Sequence, residues 1–353
     1  MKPVCRCFRL IEHAAPLVEE RTPLREPGPH EVLVRILAAG VCHSDVFLQE
    51  GAIDTGTGRK IDMTRSVAAP RTLGHEIAGE VAAVGEHVRG VSAGERVVVF
   101  PWIGCGECAF CASGRENLCA APRNLGVSAD GGFSEYVFVP NERYLIPMGS
   151  LAPEQAATYA CSGLTAYAAL KKLPEIPAGG DVLIIGAGGV GLSGVRLARR
   201  LLGVAPIVAD IDSSKWPLAR DAGAADVIDP SDPQALRNLL KGTGGGVLAA
   251  VDFVGTGESF AFGFGALRKG GAMVSVGMIG GATPFTPAMM PFKAVTLTGS
   301  YVGTCDELRE LLLLAQDGAL PPLPVTTMPL ERVNEALDRL REGRMPGRAV
   351  LVP

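Results

Sequence analysis

Cys105, Cys108, Cys111 and Cys119 follow one another in a C-x2-C-x2-C-x7-C run. Four thiolates this close in sequence can converge on one Zn²⁺ at about 2.3 Å each, in a closed tetrahedral site with no position left for substrate. Such a site is structural. A disulfide cluster is the alternative, but a chain of 353 residues builds its own core and needs no covalent staples. A second pattern suits an anion. Val182-Leu183-Ile184-Ile185 runs into Gly186-Ala187-Gly188-Gly189-Val190-Gly191, and Asp210 stands 19 residues after Gly191. In a G-x-G-x-x-G turn between strand and helix, Gly186 permits the tight turn, Gly188 lets the backbone approach a pyrophosphate, and Gly191 allows the helix to pack closely on the strand. The helix N-terminus offers free N–H groups to the phosphates. Asp210 is expected to accept hydrogen bonds from the adenosine ribose, and its carboxylate repels a 2′-phosphate. NAD is therefore expected, with Lys215 and Arg220 nearby keeping NADP as the alternative.

Other side chains capable of chemistry are scattered. Cys42-His43-Ser44-Asp45 and Gly74-His75-Glu76 both lie near Gly-rich turns, where side chains can converge, and Cys161 stands just before the dinucleotide-binding pattern. His13, His30 and His87 occupy polar or turn-rich surroundings and are expected on the solvated surface. Arg196, Arg199 and Arg200 are expected on the solvated face of the helix after the glycine turn. Cys5 and Cys7 are expected to flank an N-terminal strand as spectators, and Cys305 receives no role.

The elements that must position these residues change character along the chain. Short β-branched runs at 32–37, 77–84 and 96–100, broken by Gly and Pro, make the first third β-rich. Residues 51–70, polar and containing Gly and Thr, read as a long surface loop. From about 151 onward, strand patterns at 181–186, 207–210, 227–228, 248–253 and 272–277 alternate with helical patterns at 191–202 and 214–222. That alternation indicates a parallel sheet covered on both faces, an α/β fold. The tail reads as a helix at 307–315, a Pro-rich turn, a helix at 330–342 and a strand at 349–352. The length suggests two domains. With 47% hydrophobic and 20% charged residues the chain is globular, and a net charge of -4 gives no reason to expect a nucleic-acid partner. The four-cysteine run carries only Arg115 as a base, which argues against a zinc ribbon on nucleic acid. No apolar run reaches the ~18 residues of a membrane span, and MKPVCRCFRL lacks a secretory pattern. A reducing, cytoplasmic setting is expected.

Along essentially its whole length, the chain resembles the zinc-dependent medium-chain alcohol dehydrogenases, most of all the tetrameric bacterial and archaeal members. The resemblance is carried by the Cys42–Asp45 and Gly74–Glu76 segments, the four cysteines, Asp130-Gly-Gly-Phe-Ser-Glu-Tyr136 and Gly347-Arg348. It implies a β-rich GroES-like catalytic domain over 1–160 and 300–353 and a doubly wound Rossmann domain for NAD over 161–299. It further implies a catalytic zinc on Cys42, His75 and Cys161, with Glu76 as an alternative or transient ligand, and so two Zn²⁺ per chain. By the same resemblance Asp45 accepts a hydrogen bond from the free nitrogen of His75 and Ser44 hands the alcohol proton outward. His43 and Arg348 contact the pyrophosphate, and Thr165 and Val190 lie beside the nicotinamide. Gly189 belongs to the glycine turn and Lys215 lies near the ribose.

The implied reaction moves a hydride between NAD(H) and an alcohol–carbonyl pair, the metal lowering the alcohol pKa. One match is missing. In part of the family the relay ends in a histidine three residues after the Ser44 position, where this chain has Phe47. Proton release is then expected through ribose hydroxyls and His43, or directly to solvent, and Phe47 becomes apolar wall of the substrate cleft. Trp102 resembles a substrate-pocket position, or packs between domains. A polyol, a hydroxyacyl thioester or a thiol adduct are the alternative substrates, and a non-catalytic dinucleotide-binding scaffold is the distant alternative. A homotetramer is expected, with a dimer as alternative.

Overall fold

The structure, a computed structural model, describes residues 4–318 and 320–353. The β-branched runs of the first third pair into a seven-stranded sheet. Its main path runs Leu145–Pro147, Arg96–Val99, Glu76–Val84, Val32–Val41, Arg348–Val352 and Val325–Pro329, with Tyr136–Val139 pairing alongside Val32–Val41. Val32–Val41 is buried along most of its length, as befits a strand with neighbours on both sides. The last strand of the chain is inserted beside it, with Ala349 opposite Val41. A smaller sheet joins Val18–Pro23, Val4–Leu10 and Arg71–Thr72.

Four expectations need correction. Residues 51–70 are not one open loop: Ala52–Asp54 pairs with Lys60–Asp62, Ile53 opposite Ile61, around a turn in which Gly56 and Gly58 take positive φ. The Pro-rich turn in the tail contains a strand, Val325–Pro329, parallel to Arg348–Val352. It is an edge strand, where a Pro that donates no hydrogen bond is tolerated. Arg196 is buried, only 6% exposed, while Arg199 and Arg200 are solvated as expected. The face of helix Gly189–Leu202 that carries Arg196 packs on the helical segment 153–170, and burial lowers the Arg196 pKa beside Tyr159. Cys5 and Cys7 lie within the first strand, both buried, rather than flanking it.

The second sheet has six strands in the order Asp226–Ile228, Ile207–Ala209, Val182–Ile185, Val247–Asp252, Leu267–Ser275 and Thr296–Gly299, all parallel. Val182–Ile185 is wholly buried because helices cover both faces. The winding reverses at this strand, which opens a crevice beyond the carboxyl ends of Val182–Ile185 and Val247–Asp252. Joining the two sheets is a segment that is buried from Ala156 onward. Helix Pro153–Thr158 passes through a π-helical turn, Tyr159–Gly163, into helix Leu164–Leu170. Among the described residues, no helix is long and apolar enough to cross a membrane.

Candidate active site

Three local structures deliver the donors. Cys42 caps helix His43–Glu50, and its backbone N–H donates to Asp45 Oδ2 at 2.9 Å, the reciprocal half of a capping arrangement. His75 follows Gly74, whose φ of +90° and contact with the Phe133 ring leave no room for a Cβ. Cys161 sits in the π turn, a feature that concentrates at functional sites because it re-aims side chains within a helix.

These turns bring Cys42, His75, Glu76 and Cys161 together, all buried, with one potential ligand atom from each within 4.8 Å of the others. The Cys42 and Cys161 sulfurs are 4.0 Å apart, close to the separation of two thiolates bound at about 2.3 Å in a tetrahedral zinc site. Asp45 Oδ1 lies 3.1 Å from His75 Nδ1, while His75 Nε2 has no hydrogen-bond partner. Two soft sulfurs, an orphaned imidazole nitrogen and a carboxylate suit Zn²⁺. The electrostatics agree. Contact with the Cys161 thiol, then the nearby His75 ring, holds the Cys42 thiol well below its ordinary pKa, and the same contact with Cys42, reinforced by burial, pushes Cys161 up. Burial disfavours charged His75, yet Asp45 and Cys42 hold it well above its usual value. Burial pushes Glu76 up to about 7 against the pull of Arg348.

Glu76 fits because position 40 is glycine; a Cβ there would stand 2.0 Å from its carboxylate oxygen. Glu76 Oε1 pairs with Arg348 Nη2 at 2.5 Å and accepts from the Ser162 N–H at 3.2 Å. Arg348 in turn lies against the glycine turn, 2.3 Å from where a Cβ on Gly189 would be. It connects the ligand cluster to the second sheet.

Of the other residues singled out from the sequence, Ser44 Oγ lies 3.8 Å from Cys42 Sγ, and the Phe47 ring centre lies 5.5 Å from that of His43. Burial lowers the His43 pKa. The Trp102 ring is 5.1 Å from His75, and its N–H donates to the Ala160 carbonyl at 3.1 Å, which pins it beside Cys161. Thr165 is buried and Val190 half-buried. Gly186 has φ +96° and Gly188 faces open space, whereas a Cβ on Gly191 would meet the Gly186 carbonyl at 1.8 Å. Asp210 accepts from Ala187 N at 2.6 Å and Asp212 N at 2.8 Å, which holds its carboxylate over the turn. Lys215 pairs with Asp212 at 3.3 Å, and Arg220 is exposed.

The four-cysteine lobe forms a separate cluster with sulfurs within 4.8 Å of one another. Gly104 is required there, since a Cβ would stand 2.4 Å from the Cys111 sulfur. Backbone N–H groups of Cys105 and Ala121 donate to Cys119 Sγ at 3.3 and 3.4 Å. Backbone hydrogen bonds from Glu107 and Cys108 lower the Cys105 thiol to about 6, while burial pushes Cys111 up to about 12.

The sequence reading missed the Glu76–Arg348 pair and Tyr301, whose ring lies 6.0 Å from Trp102. Tyr301 follows Gly299-Ser300 at the carboxyl end of the sixth strand, where ligands bind in parallel sheets. That placement becomes a signal only once Thr296–Gly299 is recognised as a strand.

Comparison with known proteins gives the same frame. Residues 28–150 match the model of the alcohol dehydrogenase GroES-like domain, and residues 189–317 match that of the zinc-binding dehydrogenases. A protein of Sulfurisphaera tokodaii named NAD-dependent alcohol dehydrogenase is 37% identical over 99% of this chain and 100% of its own. The chain belongs to the zinc-type medium-chain alcohol dehydrogenase family. The crystal structure of the alcohol dehydrogenase from Aeropyrum pernix superposes on this family member with a TM-score of 0.87 at 33% identity, covering 99% of this chain and 100% of that one. A relative in Saccharolobus solfataricus named D-arabinose 1-dehydrogenase (NADP(+)) is 32% identical over 98% of this chain and 96% of its own. The GroES-like and Rossmann folds of a medium-chain alcohol dehydrogenase are both present, and the chain is an oxidoreductase of that family.

Proposed function

We propose that the protein transfers a hydride between NAD(H) and an alcohol–carbonyl pair, with one Zn²⁺ on Cys42, His75 and Cys161 and a second on the four-cysteine lobe. The observation that carries the reading is the buried donor cluster, joined to the glycine turn through Arg348. Zinc, when bound, supplies a Lewis acid that lowers the alcohol pKa and, in reverse, polarises the carbonyl. The chain's own side chains do the positioning. Asp45, 3.1 Å from His75 Nδ1, would leave Nε2 free to hold the metal. Arg348 pairs with Glu76, whose carboxylate, still within the donor cluster, would serve as an alternative or transient ligand. The Ser44 hydroxyl, 3.8 Å from Cys42 Sγ, would take the alcohol proton, and with Phe47 in the relay position His43 or solvent would receive it. Trp102 and Phe47 wall the cleft against water. Gly186, Gly188, Gly189 and Gly191 hold the pyrophosphate with His43 and Arg348, while Asp210 and Lys215 border the adenosine ribose. Thr165 and Val190 flank the nicotinamide. Residues 1–160 with 300–353 form the catalytic domain and 161–299 the NAD domain.

A polyol or sugar substrate is the second reading, favoured by the D-arabinose 1-dehydrogenase among the relatives. Thiolate zinc sites on Cys42, Cys161 and the four-cysteine lobe need reduced cysteines, which favours a reducing cytoplasm, and a homotetramer is our expectation for the assembly.

Elemental zinc analysis combined with a screen of NAD reduction over primary, secondary, aromatic and cyclic alcohols tests the reading. It stands if two zincs per chain, one for each donor cluster, accompany turnover on any of them. Two zincs with turnover only on sugars or polyols would move the substrate to the second reading, and a zinc-free protein would overturn the assignment.

A further inference from the structure

Asn117 lies in the turn Glu116–Leu118, between two cysteines of the lobe, and its Nδ2 donates to the Tyr301 carbonyl at 2.9 Å across 184 positions of chain. The next residue, Val302, has φ +42° and is buried. A β-branched residue at positive φ is an outlier that persists only where its surroundings impose it, and such strain gathers at functional sites. The surroundings do so from two sides. Behind it, Ser300 N donates to the Ser275 carbonyl at 2.9 Å and Lys172 donates to the Ser300 hydroxyl at 2.8 Å. In front stands Asn117, on a turn that is itself fastened. Glu116 accepts from Gly104 N at 2.9 Å and the Tyr144 hydroxyl at 2.7 Å and pairs with Arg143 at 2.9 Å, while Cys119 N closes the turn on the Glu116 carbonyl at 3.0 Å. Tyr301 as a residue is 44% exposed, so the anchoring of its backbone bears on where its ring sits. It meets Trp102 edge-on at 6.0 Å, and Trp102 lies 5.1 Å from His75.

We propose that Asn117 is a positioning residue for substrate selection. Through the Tyr301 carbonyl, the four-cysteine lobe holds the Tyr301 ring against Trp102 as a wall of the cleft beside His75. The lobe is then more than a staple, since its turn sets which alcohols fit. The kinetic part of this inference rests on the alcohol–carbonyl reading; the contact between Tyr301 and Trp102 does not.

The test uses the full-length holoenzyme and the variants Asn117→Ala and Asn117→Asp, the second keeping the shape while removing the donor. Zinc content is measured in each, with kcat and KM for ethanol and for benzyl alcohol. Because the chain has two tryptophans, Trp102 emission is read alone in a Trp216→Phe background. Loss of one hydrogen bond predicts a change of about fivefold in the benzyl alcohol to ethanol ratio of kcat/KM, carried by KM. Zinc content stays at the wild-type value and Trp102 emission changes in both variants. An unchanged ratio or unchanged emission overturns the inference, as does an Asn117→Asp variant that behaves as wild type or a shift that appears only with loss of zinc. If the wild type oxidises no alcohol, the functional reading fails and Trp102 emission still decides the role of Asn117.

Discussion

Single carboxylates decide much of the chemistry. Asp45 is fully buried, accepts from Cys42 N and Gly74 N at 2.9 and 3.3 Å, and faces His75 Nδ1, so one side chain ties two ligand-bearing segments together. Its contact with His75 was implied by the family resemblance; its cap on Cys42 and its bond from Gly74 N came only from the structure, because nothing local relates the two segments. Asp210 was legible by its distance from the glycine turn, and its carboxylate lies over Ala187. On the proposed reading, replacing it with glycine would remove the charge that repels a 2′-phosphate. Asp210→Gly is expected to raise KM for NAD on the order of tenfold and to shift the NAD to NADP ratio of kcat/KM toward NADP by more than that. Steady-state kinetics with both cofactors checks it, and an unchanged ratio would remove Asp210 from cofactor choice.

Elements place residues that sequence patterns only nominate. The π turn Tyr159–Gly163 carries Cys161 inward, and its Ser162 N–H donates to Glu76, so helix and ligand cluster are locked in register. No periodicity of 3.6 announces such a turn, since one extra residue per turn is set by what the helix packs against. The lobe is the opposite case: its four donors are close in sequence and its closure is local. Cys111→Ser is expected to lower zinc by about one per chain and to depress Tm by several degrees, because a structural site contributes its binding energy to folding. Atomic absorption and calorimetry read both. Unchanged zinc content would mean that the lobe does not bind metal.

The whole molecule converges on Arg348. It comes from the last strand, pairs with Glu76 from the first sheet and lies against Gly189, where helix Gly189–Leu202 leaves the second sheet. Both partners of the ion pair are buried, so deleting the cation strands a carboxylate. Arg348→Ala is expected to cost about 3–5 kcal/mol in urea unfolding and to raise KM for NAD. Wild-type stability would show that Glu76 is satisfied elsewhere. The sequence by itself determined the motifs whose physics is local: the glycine turn with Asp210 beyond it, the four-cysteine lobe, and the alternation of strand and helix that yields a parallel sheet. Those follow from backbone geometry and short spacings, which a chain cannot hide. Tertiary structure alone decided how Cys42, His75, Glu76 and Cys161 meet, where Arg348 points, that Arg196 is buried, and that Asn117 of the lobe reaches Tyr301. Each of these depends on how strands distant in sequence lie side by side, and that order is fixed by global packing rather than by any local pattern.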